Sequence, residues 1–172
     1  MKDILKLSED GKTVIGIKED KFITHITIPN GITTIEKKAF SNCQALRNID
    51  IPNSVTTIGE YAFEHCYELQ SIDIPKSVTT IGKGTFICCR SLQSINIAEE
   101  NEHYTSIDGI LFSKDLATII KIPAGKGLKK YKTPDSITVF EDYAFANCSS
   151  LQSIDIPNSV ITIGEGTFGG CI

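Results

Sequence analysis

The sequence predicts an α/β solenoid: short parallel β-strands stacked coil on coil and joined by 3-10 or short helical turns. Three observations carry this: a 23-residue period headed by proline, apolar columns that keep the period, and a switch inside each period from strand-like alternation to a turn-sized segment. Pro29, Pro52 and Pro75 are 23 residues apart, as are Pro134 and Pro157, and Pro134 follows Pro75 by one period plus an insertion of 36 residues. At this period each unit has no second layer of its own and buries its apolar face only against its neighbours.

The chain opens with Leu5-Lys6-Leu7-Ser8, Glu9-Asp10-Gly11-Lys12 and Thr13-Val14-Ile15-Gly16-Ile17, which align with Leu111 onward. Ser8 to Pro29 and Ser113 to Pro134 both span 21 residues, so both segments read as one variant unit. Residues 1–27 are therefore expected to cap the first regular coil. Residues 28–97 read as three regular repeats. Counting from each proline, the third residue is Ile32, Val55, Val78, Ile137 or Val160, and the sixth is Ile35, Ile58, Ile81, Phe140 or Ile163. The eleventh is Phe40, Phe63, Phe86, Phe145 or Phe168, and the fourteenth is Cys43, Cys66, Cys89, Cys148 or Cys171.

Each period closes on a run such as Leu46, Ile49, Ile51 or Leu69, Ile72, Ile74, the L-x-x-L-x-L pattern of a leucine-rich repeat. Its alternation suits a strand with one buried face, stopped by the next proline. The S-V-T-T-I-G segment suits a second strand, with Gly59, Gly82 and Gly164 at its exit. A-F-x-x-C then leaves room for one turn of 3-10 or α helix.

Residues 98–132 break the period. Tyr104–Ser113, Lys114–Ala117 and Thr118–Pro123 read as two strands and a tight turn, a longer coil in the same stack. Residues 133–172 hold two further repeats, the last incomplete, so that the 172 residues make a single solenoid. The chain stops in mid-repeat at Cys171-Ile172, where continuation of the chain or self-association through the open end is expected to supply the missing cover.

Composition narrows the function. The chain carries 17 Lys plus Arg against 21 Asp plus Glu, net charge -4, which argues against a general nucleic-acid binder. No apolar run approaches a membrane span, and the N-terminus lacks the apolar core of a secretory signal.

Strand alternation points to the surface expected to bind. The residues between the inward Leu and Ile side chains should line the concave side: Arg47, Gln70, Gln93 and Gln152 in one column, Asn48, Ser71, Ser94 and Ser153 in the next, and Asp50, Asp73, Asn96 and Asp155 in the third. The like charges of Asp50 and Asp73 on neighbouring strands need relief, by solvent and salt or, in the sharper reading, by a cation or a basic partner group.

The repeat P-x-S-V-T-x-I-G-x-x-A-F-x-x-C-x-x-L-x-x-I-x-I closely resembles the BspA-like family of bacterial leucine-rich repeat proteins. The resemblance is carried by Ile51–Phe63 and by Tyr104–Phe112 with Pro123–Lys126. It implies an extracellular or cell-surface protein used in adhesion, whose partner is a protein of the extracellular matrix or of another cell. The resemblance supplies no binding motif to transfer residue by residue. Phe140-Glu141 departs from the repeat's Ile-Gly and implies a locally altered coil.

Other chemistry has a plainer reading. The five column cysteines are expected to act as small buried hydrophobes. Disulfides along the column compete with that reading, because strands about 4.8 Å apart fall within the Cα separation a disulfide tolerates. Cys88 falls outside the column, and the unrelated registers of His25, His65 and His103 give no metal set. Gly164-Glu165-Gly166-Thr167-Phe168-Gly169 matches G-x-G-x-x-G, but its glycines belong to the repeat register. Asn147-Cys148-Ser149 is read as a chance sequon, and Lys121, Lys126, Lys129, Lys130 and Lys132 beside Tyr131 as a solvated basic loop. Nucleophile and base never recur together. The expectation is thus a binding module, with a spacer of a larger surface protein as the alternative; no catalytic residue, metal, cofactor, nucleic acid or membrane insertion is expected.

Overall fold

The computed structural model describes residues 4–18 and 22–171. Residues 1–3 and 19–21 of the expected capping unit, and Ile172 at the expected open end, lie outside the described residues.

Strands β1 (Leu5–Leu7) and β2 (Thr13–Ile17) form an antiparallel hairpin, and β3 (His25–Thr27) leads into Pro29. Each of the next three coils supplies a two-residue strand after its proline and a longer one before the next: β4 (Thr34–Ile35) and β5 (Asn48–Asp50), β6 (Thr57–Ile58) and β7 (Ser71–Ile74), β8 (Thr80–Ile81) and β9 (Ser94–Ile97). The insertion adds β10 (Tyr104–Ile107), β11 (Ile110–Ser113), β12 (Thr118–Lys121), a 3-10 turn at Ala124–Lys126, and β13 (Lys130–Lys132). The last two coils add β14 (Val139–Phe140), β15 (Ser153–Asp155) and β16 (Thr162–Ile163).

Along one side the strands form two five-stranded sheets, β1-β2-β4-β6-β8 and β10-β11-β12-β14-β16; along the other they pair as β3-β5, β7-β9 and β13-β15. Coil-to-coil pairing is parallel and one period apart, Ile35 opposite Ile58 and Ile58 opposite Ile81.

Two expectations need correction. The A-F-x-x-C segments are not helical, and the fold is a β-solenoid with almost no helix. In the first coil Ala39 N–H, Ser41 N–H and Cys43 N–H donate locally to Glu36 O, Lys38 O and Phe40 O. The alternate donors Lys38, Phe40 and Asn42 reach up the stack to Glu60 O, Ala62 O and Glu64 O at 3.0, 2.9 and 2.8 Å. Lys38 and Asn42 turn to φ 59° and 64° to do so. A helix would keep all these amides local and all φ negative.

The insertion, in turn, holds three antiparallel strands where two were expected. Tyr104–Ser113 folds back on itself, pairing Tyr104 with Ser113 and Ile107 with Ile110 around Asp108-Gly109 at φ 56° and 74°. Two consecutive residues at positive φ make a type I′ hairpin turn, for which Asp-Gly is the sequence signal.

The hairpin β11-β12 repeats β1-β2 bond for bond. Ser8 Oγ donates to Asp10 Oδ1 at 2.6 Å and accepts from Thr13 N–H; Ser113 Oγ donates to Asp115 Oδ1 at 2.6 Å and accepts from Thr118 N–H. Each hairpin then pairs parallel with the next coil, Val14 opposite Ile35 and Ile119 opposite Phe140.

The core follows the columns and breaks at the insertion. Phe40, Phe63 and Phe86 are buried and stacked, with ring centroids 5.4 and 5.9 Å apart. Phe145 and Phe168 form a second column at 5.2 Å. The buried apolar residues accordingly divide into two clusters, the second starting with Ile110 and Phe112.

The strand-exit glycines are set by crowding. Gly59, Gly82 and Gly164 have no positive φ; a Cβ there would stand 2.5, 2.4 and 2.5 Å from the backbone nitrogens of Lys37, Glu60 and Asp142 in the coil beneath. Glu36 and Glu141 hold the same register where a hairpin, not a coil, lies beneath, each donating its amide to the hairpin strand at Val14 O and Ile119 O. The Phe140-Glu141 departure thus marks what the fourth coil rests on.

Candidate functional site

In β5, β7 and β9 the alternate Ile49, Ile72 and Ile95 are buried in the core and hold the polar columns outward, and in β15 the half-buried Ile154 does the same. Of the twelve column residues, ten are exposed and Ser71 and Ser94 are half-buried. Pairing places Asn48 beside His25, Asp73 beside Asn96, and Ser153 beside Lys130.

Neighbouring side chains relieve the acidic column. Asp50 Oδ2 accepts from Thr27 Oγ1 at 3.0 Å and lies 3.1 Å from His25 Nε2. Asp73 Oδ1 accepts from Asn96 Nδ2 at 2.8 Å, and Asp155 sits opposite Lys132. Arg47 Nε lies 3.9 Å from Glu68. Among the described residues no group of three or more His, Cys, Asp or Glu side chains is placed to hold a metal ion.

The structure does not bring the twelve residues into one continuous patch. The β10-β11 hairpin crosses β9: Ile95 N–H donates to Gly109 O at 2.9 Å, and a Cβ on Gly109 would stand 2.7 Å from Ser94 Cβ. Arg47, Asn48, Asp50, Gln70, Ser71, Asp73, Gln93, Ser94 and Asn96 thus lie before the hairpin, and Gln152, Ser153 and Asp155 after it. Strands β3 and β13 extend the columns with His25, Thr27, Lys130 and Lys132, which column counting missed. The signal was available: counting back 23 residues from Pro134 puts Lys130 and Lys132 in register with Asn48 and Asp50.

The basic cluster divides in the same way. Lys129, Lys130 and Lys132 are exposed, whereas Lys121 is 5% exposed. Its Nζ donates to Tyr143 O at 2.9 Å and Ala146 O at 3.0 Å, and burial lowers its pKa. Lys126 Nζ donates to Asp108 O.

The column thiols are all free, and each from the second on donates to a carbonyl one coil back, Cys66 Sγ to Phe40 O at 3.2 Å and Cys89 Sγ to Phe63 O at 3.1 Å. Burial raises the pKa of Cys43 to about 11 and of Cys89 to about 12, far from reactive thiolate character. Asn147 of the sequon has its side-chain oxygen on Cys88 N–H at 3.0 Å.

A second feature is the seam where the insertion enters the stack. Buried Asn101 hangs the insertion on the third coil: its Nδ2 donates to Pro75 O and Val78 O, and its Oδ1 accepts from His103 N–H and Tyr104 N–H. Tyr104 Oη closes the edge of β8, accepting from Ile81 N–H at 3.0 Å and donating to Thr79 O. Beside it lies a cavity of about 260 Å³, lined by Gly84 and Phe86 of the third coil, Tyr104 and Ile120 of the insertion, and Asp142 and Tyr143 of the fourth coil.

Comparison with known proteins accords with this architecture. The sequence matches the BspA type Leucine rich repeat region in six copies, over residues 18–127 and 124–172. A leucine rich cell surface protein from Faecalibacterium prausnitzii A2-165 is 35% identical with a TM-score of 0.77, over 85% of this chain and 38% of its own. A leucine-rich repeat protein from Eubacterium ventriosum is 25% identical (TM-score 0.74, 86% of this chain and 45% of that one). The pneumococcal vaccine antigen PcpA is 26% identical (TM-score 0.65, 97% and 52%). The chain thus spans about half or less of the length of each structure. No curated protein shows a significant match to the sequence.

Proposed function

Since the chain belongs to the BspA-type leucine-rich repeat family, we propose that it is a non-enzymatic protein-binding module acting in adhesion at the cell surface. The observation that carries this is the ordered polar face of Arg47, Gln70, Gln93 and their neighbours, held outward by strands whose other face is locked in the core. A rigid, extended, periodic surface costs little ordering on binding and offers many weak contacts in register. In this reading the chain works as one solenoid with the β1-β2 hairpin as its cap. The cell-surface assignment draws on the F. prausnitzii protein.

An array of extracellular-matrix proteins probed with the intact chain and with Gln70→Ala/Asp73→Ala/Gln93→Ala tests the proposal. At least tenfold weaker binding by the triple variant is expected. Equal binding by both moves the site off this face. A spacer role in a longer surface protein is the second reading, favoured by the 38–52% of the neighbours' lengths that the chain spans; binding to no array member by either form supports it.

A further inference from the structure

The seam leaves a specific hydrogen-bonding deficit. In the first, second and fourth coils, the amides nine and eleven residues after the proline donate to carbonyls of the coil above: Lys38 and Phe40 to Glu60 O and Ala62 O, Tyr61 and Phe63 to Lys83 O and Thr85 O, Tyr143 and Phe145 to Glu165 O and Thr167 O, all at 2.9–3.1 Å. In the third coil these donors are Gly84 N–H and Phe86 N–H, and among the described residues neither has an acceptor. On either side of them side chains stand in for the absent coil: Tyr104 Oη takes Ile81 N–H, and Asn147 Oδ1 takes Cys88 N–H.

The facing wall shows the complementary pattern. Ala144 O is taken by Ile122 N–H and Ala146 O by the ammonium of Lys121, while Asp142 O, whose counterparts Glu60 O, Lys83 O and Glu165 O each accept a bond, has no donor among the described residues. Gly84 and Asp142 are half-buried and Phe86 is buried; an unpaired backbone group costs on the order of 1–3 kcal/mol only where water is shut out, so these groups stay available to a partner's backbone. Here two donors two residues apart and one opposing acceptor line the same cavity of about 260 Å³.

We propose that this seam is a slot for a short segment of polypeptide from a protein partner, which places two alternate carbonyls on Gly84 N–H and Phe86 N–H and one N–H on Asp142 O. Backbone is the chemistry that carries donors and acceptors at this spacing, as strand addition to an exposed sheet edge shows. The cavity lies just below the usual range of 300–1,000 Å³ for ligand pockets, which suits a few residues rather than a whole domain. The side chains around it carry both signs, Glu141 and Asp142 against Lys83 and Lys121, so the slot reads backbone rather than side-chain charge. The inference rests on the protein-binding reading but uses a surface apart from the polar columns, so one can fail while the other stands.

The test begins with a phage-displayed heptapeptide library panned on the full chain and counter-selected on Ile120→Trp, which fills the cavity. Enriched peptides, synthesised with capped ends, are then titrated into the 15N-labelled unsubstituted chain. Expected are saturable downfield shifts of the Gly84 and Phe86 amide protons with slowed exchange, and at least tenfold weaker binding by Ile120→Trp. Should Ile120→Trp fail to fold, the library is panned on the unsubstituted chain alone and the amide titration decides. No enrichment, or peptides that leave both amides unmoved while shifting β5, β7 or β9, overturns the slot; the second result leaves the polar-face proposal standing.

Discussion

Replacing Asn101 with alanine isolates the corner on which the insertion hangs. The side chain is fully buried and makes four bonds: Nδ2 to Pro75 O at 3.1 Å and Val78 O at 2.9 Å, and Oδ1 from His103 N–H at 2.9 Å and Tyr104 N–H at 2.8 Å. At roughly 1 kcal/mol net per bond, and more for each backbone group left without water, Asn101→Ala should cost about 4 kcal/mol. With a urea m-value of ~2 kcal/mol per molar, that moves the unfolding midpoint, read by far-UV circular dichroism, down by about 2 M. Asn101→Asp keeps an oxygen for the two accepted bonds but loses both donated bonds and buries a charge, so it should be no milder. Asn96→Ala, which removes one exposed bond to Asp73, is the control and should stay within about 0.5 kcal/mol. If Asn101→Ala cost less than about 1 kcal/mol, or no more than Asn96→Ala, the corner would not hold the insertion to the third coil.

Three further outcomes follow from the core. Phe63→Ala, between two stacked rings, should cost about 3–5 kcal/mol in the same assay and more than Phe168→Ala, whose ring is half-buried; equal costs would deny the stacking. Native protein treated with Ellman's reagent at pH 8 should lose the half-buried thiols Cys88 and Cys171 first, the other four reacting only on unfolding; early modification of Cys66 would contradict its burial. Stability should fall as pH rises from 9 towards 11. The unfolded chain ionises its thiols near 9.0, whereas Cys43 and Cys148 hold their protons to about 11 and Cys89 to about 12, worth up to ~3 kcal/mol each. Lys121, with its pKa lowered in the fold, works the other way, gaining stability as pH rises towards 10.5, but it is one group against four buried thiols, since burial raises the Cys66 pKa as well. A urea midpoint at pH 10 equal to or above that at pH 8 would refute this balance.

The period, the columns and the inward Phe and Cys positions were legible in the sequence because every coil repeats the same burial problem. What escaped belongs to features that repetition does not sample. The helical expectation for A-F-x-x-C failed because the amides of Lys38 and Asn42 serve the neighbouring coil, a contact that local spacing does not encode. The insertion holds one strand more than its apolar pattern predicts because Asp108-Gly109 interrupts the run Tyr104–Ser113, and the dipeptide is the strongest short hairpin signal. Lys121 looked like a solvated lysine, and only the stack shows that its ammonium substitutes for an absent backbone donor. Of the polar face, the outward residues were foreseen, and its interruption by a hairpin crossing at Ser94 was not.

The alternation of Gly59, Gly82 and Gly164 with Glu36 and Glu141 gives the array a syntax. A coil that carries glycine at this joint can sit flush on another coil; one that carries glutamate must start afresh on a hairpin. Duplicating or deleting a glycine-jointed unit changes the length and leaves every seating intact, whereas moving the Glu141 coil directly onto the Gly82 coil would drive a side chain into the backbone below. Reading that single letter along a longer array therefore tells where each rigid segment begins, before any coordinate is known.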